Sequence, residues 1–65
     1  MTLKELRQRE CLTQKEVAEK VGLTNKFISD MEQGRRKPSD KSKIKLAEVY
    51  HVTPVDIFLA CYENS

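Results

Sequence analysis

The densest charge in the chain is the basic run Arg35-Arg36-Lys37, which directly follows Gly34. Guanidinium and ammonium groups bind anions such as phosphate without any covalent step. The whole chain has 12 Lys/Arg and 10 Asp/Glu, a net charge of +2, so this run is a local cluster on a nearly neutral protein. Charge alone favours a solvated loop, and the alternative is a docking surface for phosphates.

Residues that can ligate a metal or act as nucleophiles are few and poorly spaced. Cys11 and Cys61 form no CxxC pair, and His51 has no Cys, Ser or carboxylate partner at a useful spacing. No Gly-rich phosphate loop is present either. We therefore expect no metal, no cofactor and no enzymatic activity. Both thiols are expected to be reduced and partly buried, and a Cys11–Cys61 disulfide is the less favoured alternative.

The length of 65 residues permits a single domain, residues 1–65, with a thin core. A domain of this size buries only about 60% of its unfolded surface, and oligomerisation is one usual remedy. No apolar run approaches the roughly 18 residues of a membrane span, and the N-terminal residues lack the apolar stretch of a secretory signal. We expect a cytoplasmic protein that has no membrane partner and no small-molecule ligand.

Polar capping residues divide the chain into five short helices. A hydroxyl residue followed three positions later by Glu is the capping-box pattern, and Glu5 and Glu16 complete two such boxes. Pro54 stands where its missing N–H does no harm, at the first position of the last helix. No segment alternates with period two, so the sequence predicts an all-α, compact five-helix bundle. The expected caps are Thr2, Thr13, Thr24, Ser39 and Thr53.

Residues 13–33 have the pattern of two helices joined by a tight turn. Gly22 supplies the left-handed turn, and the small Ala18 lets the second and third helices approach closely at a steep angle. Apolar residues at helical spacing predict the buried faces of the bundle. They are Leu3 and Leu6, then Val17, Ala18 and Val21, then Ile28 and Met31, then Ile44, Leu46, Ala47 and Tyr50, and finally Ile57 and Phe58.

Several segments of the chain together resemble one family. Residues 12–24 (LTQKEVAEKVGLT), 28–34 (ISDMEQG) and 37–39 (KPS) resemble the lambda-repressor-like (Cro/CI-type, XRE-type) helix-turn-helix family. Residues 52–58 (VTPVDIF) are similar to its closing helix. The resemblance covers nearly the whole chain. It implies a five-helix domain that binds double-stranded operator DNA, usually as a two-fold dimer.

In this family the third helix enters the major groove, which implies base contacts at its exposed residues. Asn25 can bond adenine through two atoms, and Lys26 can donate to guanine. Ser29 and Asp30 lie one turn further along the same face. A carboxylate at Asp30 either accepts from cytosine N4 or forms an ion pair with Lys26.

The resemblance also implies contacts to the DNA backbone. Phe27 either packs on a sugar or a thymine methyl group, or lies at the edge of the core, which is the simpler interpretation. Arg7 and Glu32 resemble a family pair that fixes the angle of the recognition helix and directs the arginine towards phosphate. The full set of expected backbone contacts is Arg7, Thr13, Gln14, Phe27, Gln33, Arg35, Arg36 and Lys37.

Three positions depart from the family pattern. Cys11 stands where glycine is common after the first helix, so the turn is either strained or altered. Asp40 and Lys43 replace residues that are usually apolar, which predicts that the fourth helix begins late or packs loosely.

The expected function is sequence-specific binding of double-stranded DNA by a transcriptional regulator, in particular a repressor that occludes a two-fold operator as a homodimer. The chain stops soon after the fifth helix, so we expect no separate effector or dimerisation domain. Pro54, Val55 and Leu59 form the expected dimer patch, unless they are scattered exposed apolar residues. The alternative function is an antitoxin-like protein-interaction module that also autoregulates through DNA binding.

Overall fold

Short helices make up most of residues 1–63, which are the residues that the computed structural model describes. No β-strand occurs within this range, and the predicted all-α, five-helix fold class is confirmed. Helices of 7 to 11 residues are marginal alone, so their stability comes from packing of their apolar faces. The elements are α1 (Leu3–Arg9), α2 (Gln14–Val21), α3 (Asn25–Glu32), α4 (Asp40–Tyr50) and α5 (Pro54–Glu63).

Side-chain hydroxyls cap the helices at the predicted positions. At α1 the Thr2 hydroxyl accepts a hydrogen bond from the Glu5 N–H at 3.2 Å, and the Glu5 carboxylate accepts one from the Thr2 N–H at 2.8 Å. Thr13 and Glu16 form the same reciprocal pair at α2, with distances of 3.1 and 2.9 Å. Each such cap stabilises its helix by about 1 kcal/mol. The remaining caps are Thr24 for α3, Ser39 for α4, and a reciprocal Thr53–Asp56 pair for α5.

Left-handed residues shape the turns that follow the helices. Gly22, with φ of 72°, closes α2 as its position predicts. Cys11 also has a left-handed φ, 57°, so of the two expected alternatives the turn after α1 is the strained one. His51, again at 57°, ends α4, although no glycine marks that turn. A side chain in this region costs roughly 1–2 kcal/mol, which packing elsewhere must offset.

Every helix contributes to one core. The side chains that are almost completely buried include Leu3 from α1, Val17 from α2, Ile28 from α3, Leu46 from α4 and Ile57 from α5. Each large apolar side chain stabilises the fold by about 1.5–3 kcal/mol when fully buried. The buried residues that form this core are Leu3, Leu6, Val17, Ala18, Val21, Ile28, Met31, Leu46, Ala47, Tyr50, Ile57, Ala60 and Cys61.

Two residues that the sequence predicts to face inward are exposed instead. Ile44 on α4 and Phe58 on α5 are both large apolar residues on the surface, so these two predictions are wrong. Successive residues of an α-helix are rotated by about 100°. Ile57 sets the inward direction of α5, and Leu46, Ala47 and Tyr50 together set that of α4, which leaves Phe58 and Ile44 on the flanks. Phe58 contacts Tyr62, with ring centroids 5.9 Å apart.

The start of α4 is polar but regular. The helix begins at Asp40, directly after its Ser39 cap, so the late start suggested by Asp40 and Lys43 does not occur. The Lys43 ammonium lies 3.5 Å from the Asp40 carboxylate and 5.4 Å from the centroid of the Phe58 ring. These contacts leave the long lysine stem over the apolar flank of α5 and its charge near solvent.

Candidate DNA-binding interface

Helices α2 and α3 form a tightly joined pair. The Gly22 N–H donates to the Ala18 carbonyl, and the Leu23 N–H donates to the same carbonyl at 2.9 Å. These two hydrogen bonds to one carbonyl end α2. The Thr24 hydroxyl begins α3 by accepting a hydrogen bond from the Phe27 N–H at 3.0 Å. Buried Ala18 leaves room for α3 to cross closely. The pair therefore presents α3 at a fixed angle on the surface of the bundle.

The outward side of α3 is polar and accessible along its length. Asn25 and Lys26 in the first turn are exposed, and Ser29 is half-buried one turn later. Gln33 follows the helix and donates from its side-chain amide to the Ser29 hydroxyl at 2.9 Å. A shallow groove on this face is lined by Gln14, Asn25, Lys26, Ser29, Asp30 and Arg35. Amide, hydroxyl and ammonium groups of this kind can bond to the edges of nucleobases.

The structure contains the Arg7–Glu32 pair that the family resemblance implies. Arg7 donates from Nε to Glu32 Oε2 at 2.7 Å and from Nη2 to Glu32 Oε1 at 3.1 Å. The third nitrogen, Nη1, donates to the Leu12 carbonyl at 2.9 Å. The side chains are only 12% and 5% exposed, which makes this bidentate ion pair largely desolvated. It ties α1 to the end of α3 and so fixes the orientation of α3.

Gln14 belongs to the same cluster. Its side-chain amide donates to Glu32 Oε1 at 3.0 Å, so the residue expected to contact phosphate is also held by α3. Tyr50 lies nearby in the core, and its pKa is raised, first by burial and then by the negative charge of Glu32. The hydrogen bond to Glu32 is the main cause of the raised pKa of Arg7. The cluster thus keeps Arg7 charged and Tyr50 neutral.

Asp30 points towards the loop after α3. Its carboxylate lies 3.6 Å from Arg35 Nη1 and 3.8 Å from Arg36 Nε. The Asp30 side chain is 13% exposed, in contrast to 66% and 62% for the two arginines. The expected alternative partner was Lys26, but the recorded ion pairs of Asp30 are with the two arginines instead. Contact of Asp30 with cytosine stays a prediction.

The loop after α3 carries its basic side chains in solvent. Arg35, Arg36 and Lys37 are exposed, while Pro38 is buried and anchors the end of the loop. The Arg36 guanidinium carbon lies 5.5 Å from the centroid of the Phe27 ring. Phe27 itself is half-buried and packs against the core, as the simpler of its two interpretations predicts. The basic loop and the polar side of α3 therefore share one surface.

The two cysteines lie outside this surface. Cys61 is buried, whereas Cys11 is exposed, so the expected partial burial is wrong for Cys11, and neither cysteine forms a disulfide within residues 1–63. Burial is the main cause of the raised pKa of Cys61. Among residues 1–63 no group of three His, Cys, Asp or Glu side chains could hold a metal ion. In the same range, none of the helices has the length and apolarity needed to cross a membrane.

Comparison with known proteins identifies the family of this chain. The sequence model of the helix-turn-helix family matches residues 3–57, which span α1 to the first turn of α5. The chain belongs to the Cro/CI-type helix-turn-helix family. Members of this family are transcription regulators with a DNA-binding domain, and they typically have no enzymatic activity.

Curated relatives in a bacterium and an archaeon have the same character. The chain is 41% identical over 51 residues to the HTH-type transcriptional regulator ImmR of Bacillus subtilis. That match covers 78% of this chain but only 40% of the Bacillus protein. Two uncharacterized HTH-type transcriptional regulators of Archaeoglobus fulgidus are 37% and 33% identical over 57 residues, which cover 88% of this chain. In them the match spans 80% and 81% of the relative.

Some features of the family surface were not predicted from the sequence. Thr24 lines a second groove beside α3 together with Lys26, Phe27, Asp30 and Arg36. The contacts of Asp30 with Arg35 and Arg36 were also missed. Opposite charges separated by five and six residues were visible in the sequence, but a turn at Gly34 lies between them, and helical spacing does not extend through it.

Proposed function

We propose that this protein is a sequence-specific regulator that binds double-stranded DNA as a homodimer and represses transcription from a two-fold operator. The observation that supports this most strongly is the exposed polar side of α3, fixed by the Arg7–Glu32 pair and flanked by the basic loop. In the family geometry this helix lies in the major groove while α2 crosses the backbone. No catalytic group and no cofactor is required.

Base recognition is assigned to the residues on that side of α3. Asn25 and Lys26 are exposed in its first turn, where side chains of a recognition helix reach furthest into the groove. The Ser29 hydroxyl oxygen accepts a hydrogen bond from Gln33, which leaves its O–H group and its second lone pair for a base. Ser29 can therefore donate or accept according to the base it meets. Contact of Asp30 with a cytosine stays a prediction, and it is an alternative to the ion pairs of Asp30 with Arg35 and Arg36.

Backbone contacts are assigned to residues around that helix. Arg35, Arg36 and Lys37 supply three exposed cations, and Gln33 lies beside them. Phosphate contacts of this kind fix the register of a protein on DNA and provide much of its affinity. Residues nearer α2 complete the expected set. They are Thr13 and Gln14 at its N-terminal end and Arg7 on α1. Phe27 on α3, which packs against the core, would contact a sugar or a thymine methyl group through its exposed edge.

The dimer contact is assigned to the outer face of α5. Val55 and Leu59 are 64% and 52% exposed, and Pro54 is exposed beside them. Phe58 and Tyr62, which the sequence did not place there, extend the face with the i, i+3, i+4, i+7 spacing of a helical stripe. Two copies related by a two-fold axis can bury such a stripe against itself. Two recognition helices would then contact half-sites about one turn of DNA apart.

Repression follows from occupancy alone. A dimer that covers two half-sites near a promoter excludes polymerase from the same DNA, and the protein acts in the cytoplasm, where bacterial or archaeal DNA is accessible.

A gel-shift titration with fragments from upstream of its own gene, followed by protection mapping, tests this function. A protected two-fold site of about one or two helical turns is the expected result. Failure to bind any fragment more tightly than a scrambled duplex would contradict it.

The loop provides a quantitative test of backbone binding. Replacing Arg35, Arg36 and Lys37 by Gln should lower affinity and flatten the slope of log K against log salt by about 0.9 for each lost phosphate contact. The matched control replaces Lys4, Lys20 and Lys45, which are exposed lysines outside the expected interface, and changes net charge equally. If the two triple variants have equal slopes of log K against log salt, the loop does not contact the DNA backbone.

An antitoxin-like function is the second candidate, and the exposed apolar stripe on α5 is the observation that favours it. The stripe would then bind a different protein, and DNA binding would serve autoregulation. If the purified protein self-associates, and Leu59→Glu abolishes this self-association, the result supports the homodimer. A stoichiometric partner that co-purifies with the wild type, and not with that variant, would support the alternative.

A further inference from the structure

Asp30 holds two cations that the proposed function assigns to phosphate. Its carboxylate oxygens approach Arg35 Nη1 at 3.6 Å and Arg36 Nε at 3.8 Å, one oxygen to each arginine. The Asp30 carbonyl also accepts the Arg35 N–H at 2.8 Å, which sets the direction of the loop at that point. Side chain and backbone of one residue thus organise the first half of the basic loop.

The arginine positions are restrained from more than one side. The Arg36 guanidinium lies between the Asp30 carboxylate and the Phe27 ring, 5.5 Å from the ring centroid. A guanidinium against an aromatic face gains a further attraction to the ring. The other acidic residue at this end of α3, Glu32, is bonded to Arg7 and Gln14. Asp30 is therefore the carboxylate that faces the loop.

An arginine that stays within ion-pair distance of Asp30 is not fully available to a DNA phosphate. Carboxylate and phosphate oxygens bind the same planar N–H groups of arginine. We propose that Asp30 is a positioning residue that competes with DNA phosphate for Arg35 and Arg36, and so lowers the affinity of this protein for DNA of any sequence. This inference rests on the proposed function, because it needs the loop to face DNA.

The competition is weak enough for DNA to overcome. Both arginines are about two-thirds exposed, and ion pairs of that kind are readily exchanged. In loosely bound, non-specific complexes the phosphates have no fixed position, so one or both arginines remain with Asp30. Fewer than three phosphates are then neutralised by the three cations of the loop. The slope of log K against log salt is correspondingly shallower.

Asp30→Asn provides the direct test, since Asn is nearly isosteric and uncharged. The probe is a scrambled duplex of about 20 base pairs, titrated between about 50 mM and 200 mM salt. The variant should bind several-fold more tightly at low salt. Its slope should steepen by about 0.9 for each arginine released. Across that fourfold range of salt, the affinity ratio of variant to wild type should therefore change by about 3.5-fold if one arginine is released and by about twelvefold if both are.

Two controls separate this effect from a general change of charge or stability. Glu48→Gln on the exposed side of α4 changes net charge by the same amount, and it should leave the slope unchanged. Repeating Asp30→Asn in an Arg35→Gln/Arg36→Gln background closes a double-mutant cycle. The gain from Asp30→Asn should disappear there. A gain that persists without the arginines would mean that Asp30 simply repels phosphate, and would overturn the proposal.

The base-contact prediction for Asp30 gives the opposite result in the same assay. If Asp30 accepts from a cytosine, Asp30→Asn leaves the affinity for a scrambled duplex unchanged and alters the preferred base in a selection from randomised duplexes. That outcome would overturn the inference and leave the proposed function intact. A wild-type protein that binds no duplex at any salt concentration would instead overturn the proposed function itself.

Discussion

At the residue scale, single side chains in this small domain have more than one task. Arg7 bonds Glu32 through two nitrogens and the Leu12 carbonyl through the third. Any phosphate that Arg7 contacts must share a guanidinium that already uses three of its five N–H groups, so the main effect of Arg7 is to orient α3. Gln14 is in the same position, since its amide is bonded to Glu32. Family resemblance identifies such residues, but their internal bonds decide how far they can reach.

The turn after α1 offers a residue-scale test of backbone strain. Cys11 has a φ of 57°, where glycine has no steric penalty. Cys11→Gly should therefore stabilise the protein by about 0.5–1 kcal/mol, the relief of strain being partly offset by the entropy of a more flexible unfolded chain. The free energy of unfolding in urea measures the change.

Cys11→Ala is the matched control for that experiment. It removes the thiol and keeps the β-carbon, so it should leave stability almost unchanged. If the alanine variant gains as much stability as the glycine variant, the sulfur atom and not the backbone is the source of the effect.

At the scale of the element, the helices are defined by their caps more than by their length. Three of the five have a reciprocal box, in which a threonine and an acidic residue three positions later satisfy each other's N–H groups. The caps at α1 and α2 were predictable because the pattern is local and contiguous. The acidic partner at α5 was not predicted as a box, although Thr53 itself was. Local patterns of this kind determine where each helix begins.

The cap of α2 predicts how stability depends on pH. The hydrogen bond from the Thr13 N–H lowers the pKa of Glu16 below its ordinary value of 4.5. Above that value Glu16 is ionised in both states and its stabilising effect is complete. As the pH falls through 4.5, the unfolded chain takes up the proton first, and the stabilisation is progressively lost.

The measurement is the urea midpoint of the wild type and of Glu16→Gln between neutral pH and about pH 3. The advantage of the wild type should be greatest near neutral pH and should shrink in acid. An exposed carboxylate outside a cap, such as Glu19→Gln, serves as the control and should show a much smaller trend. A constant advantage at every pH would mean that the Glu16 charge does not stabilise α2.

At the scale of the whole molecule, the exposed apolar stripe of α5 is the feature that a monomer does not use. Leu59→Glu places a charge in the centre of the expected dimer patch, where it should favour the monomer. Sedimentation equilibrium should show a weaker dimer by tenfold or more, and cooperative binding to a two-fold operator should be lost.

Ile44→Glu is the control for that change, because Ile44 and Leu59 have the same exposed fraction, 52%, but Ile44 lies on α4 outside the predicted patch. It should associate like the wild type. If both variants dimerise normally, the contact between copies lies elsewhere on the bundle.

The sequence by itself determined the helices, the tight turn of the helix-turn-helix unit and the family. The helices and the turn depend on residues within about four positions of one another, such as Thr13 with Glu16 or Gly22 with Ala18. Such short-range geometry is nearly independent of the rest of the fold. The exposed polar face of α3 was predictable for the same reason, since helical periodicity separates buried Ile28 from exposed Lys26.

Only the tertiary structure decided which side chains meet across turns and between helices. It turned Asp30 towards Arg35 and Arg36, and it put Phe58 on the surface of α5. These outcomes depend on the angle at which one helix packs on another and on the path of a loop, which a one-dimensional pattern does not specify. A rotation of about 100° between neighbouring residues is enough to move an apolar side chain from the core to the flank.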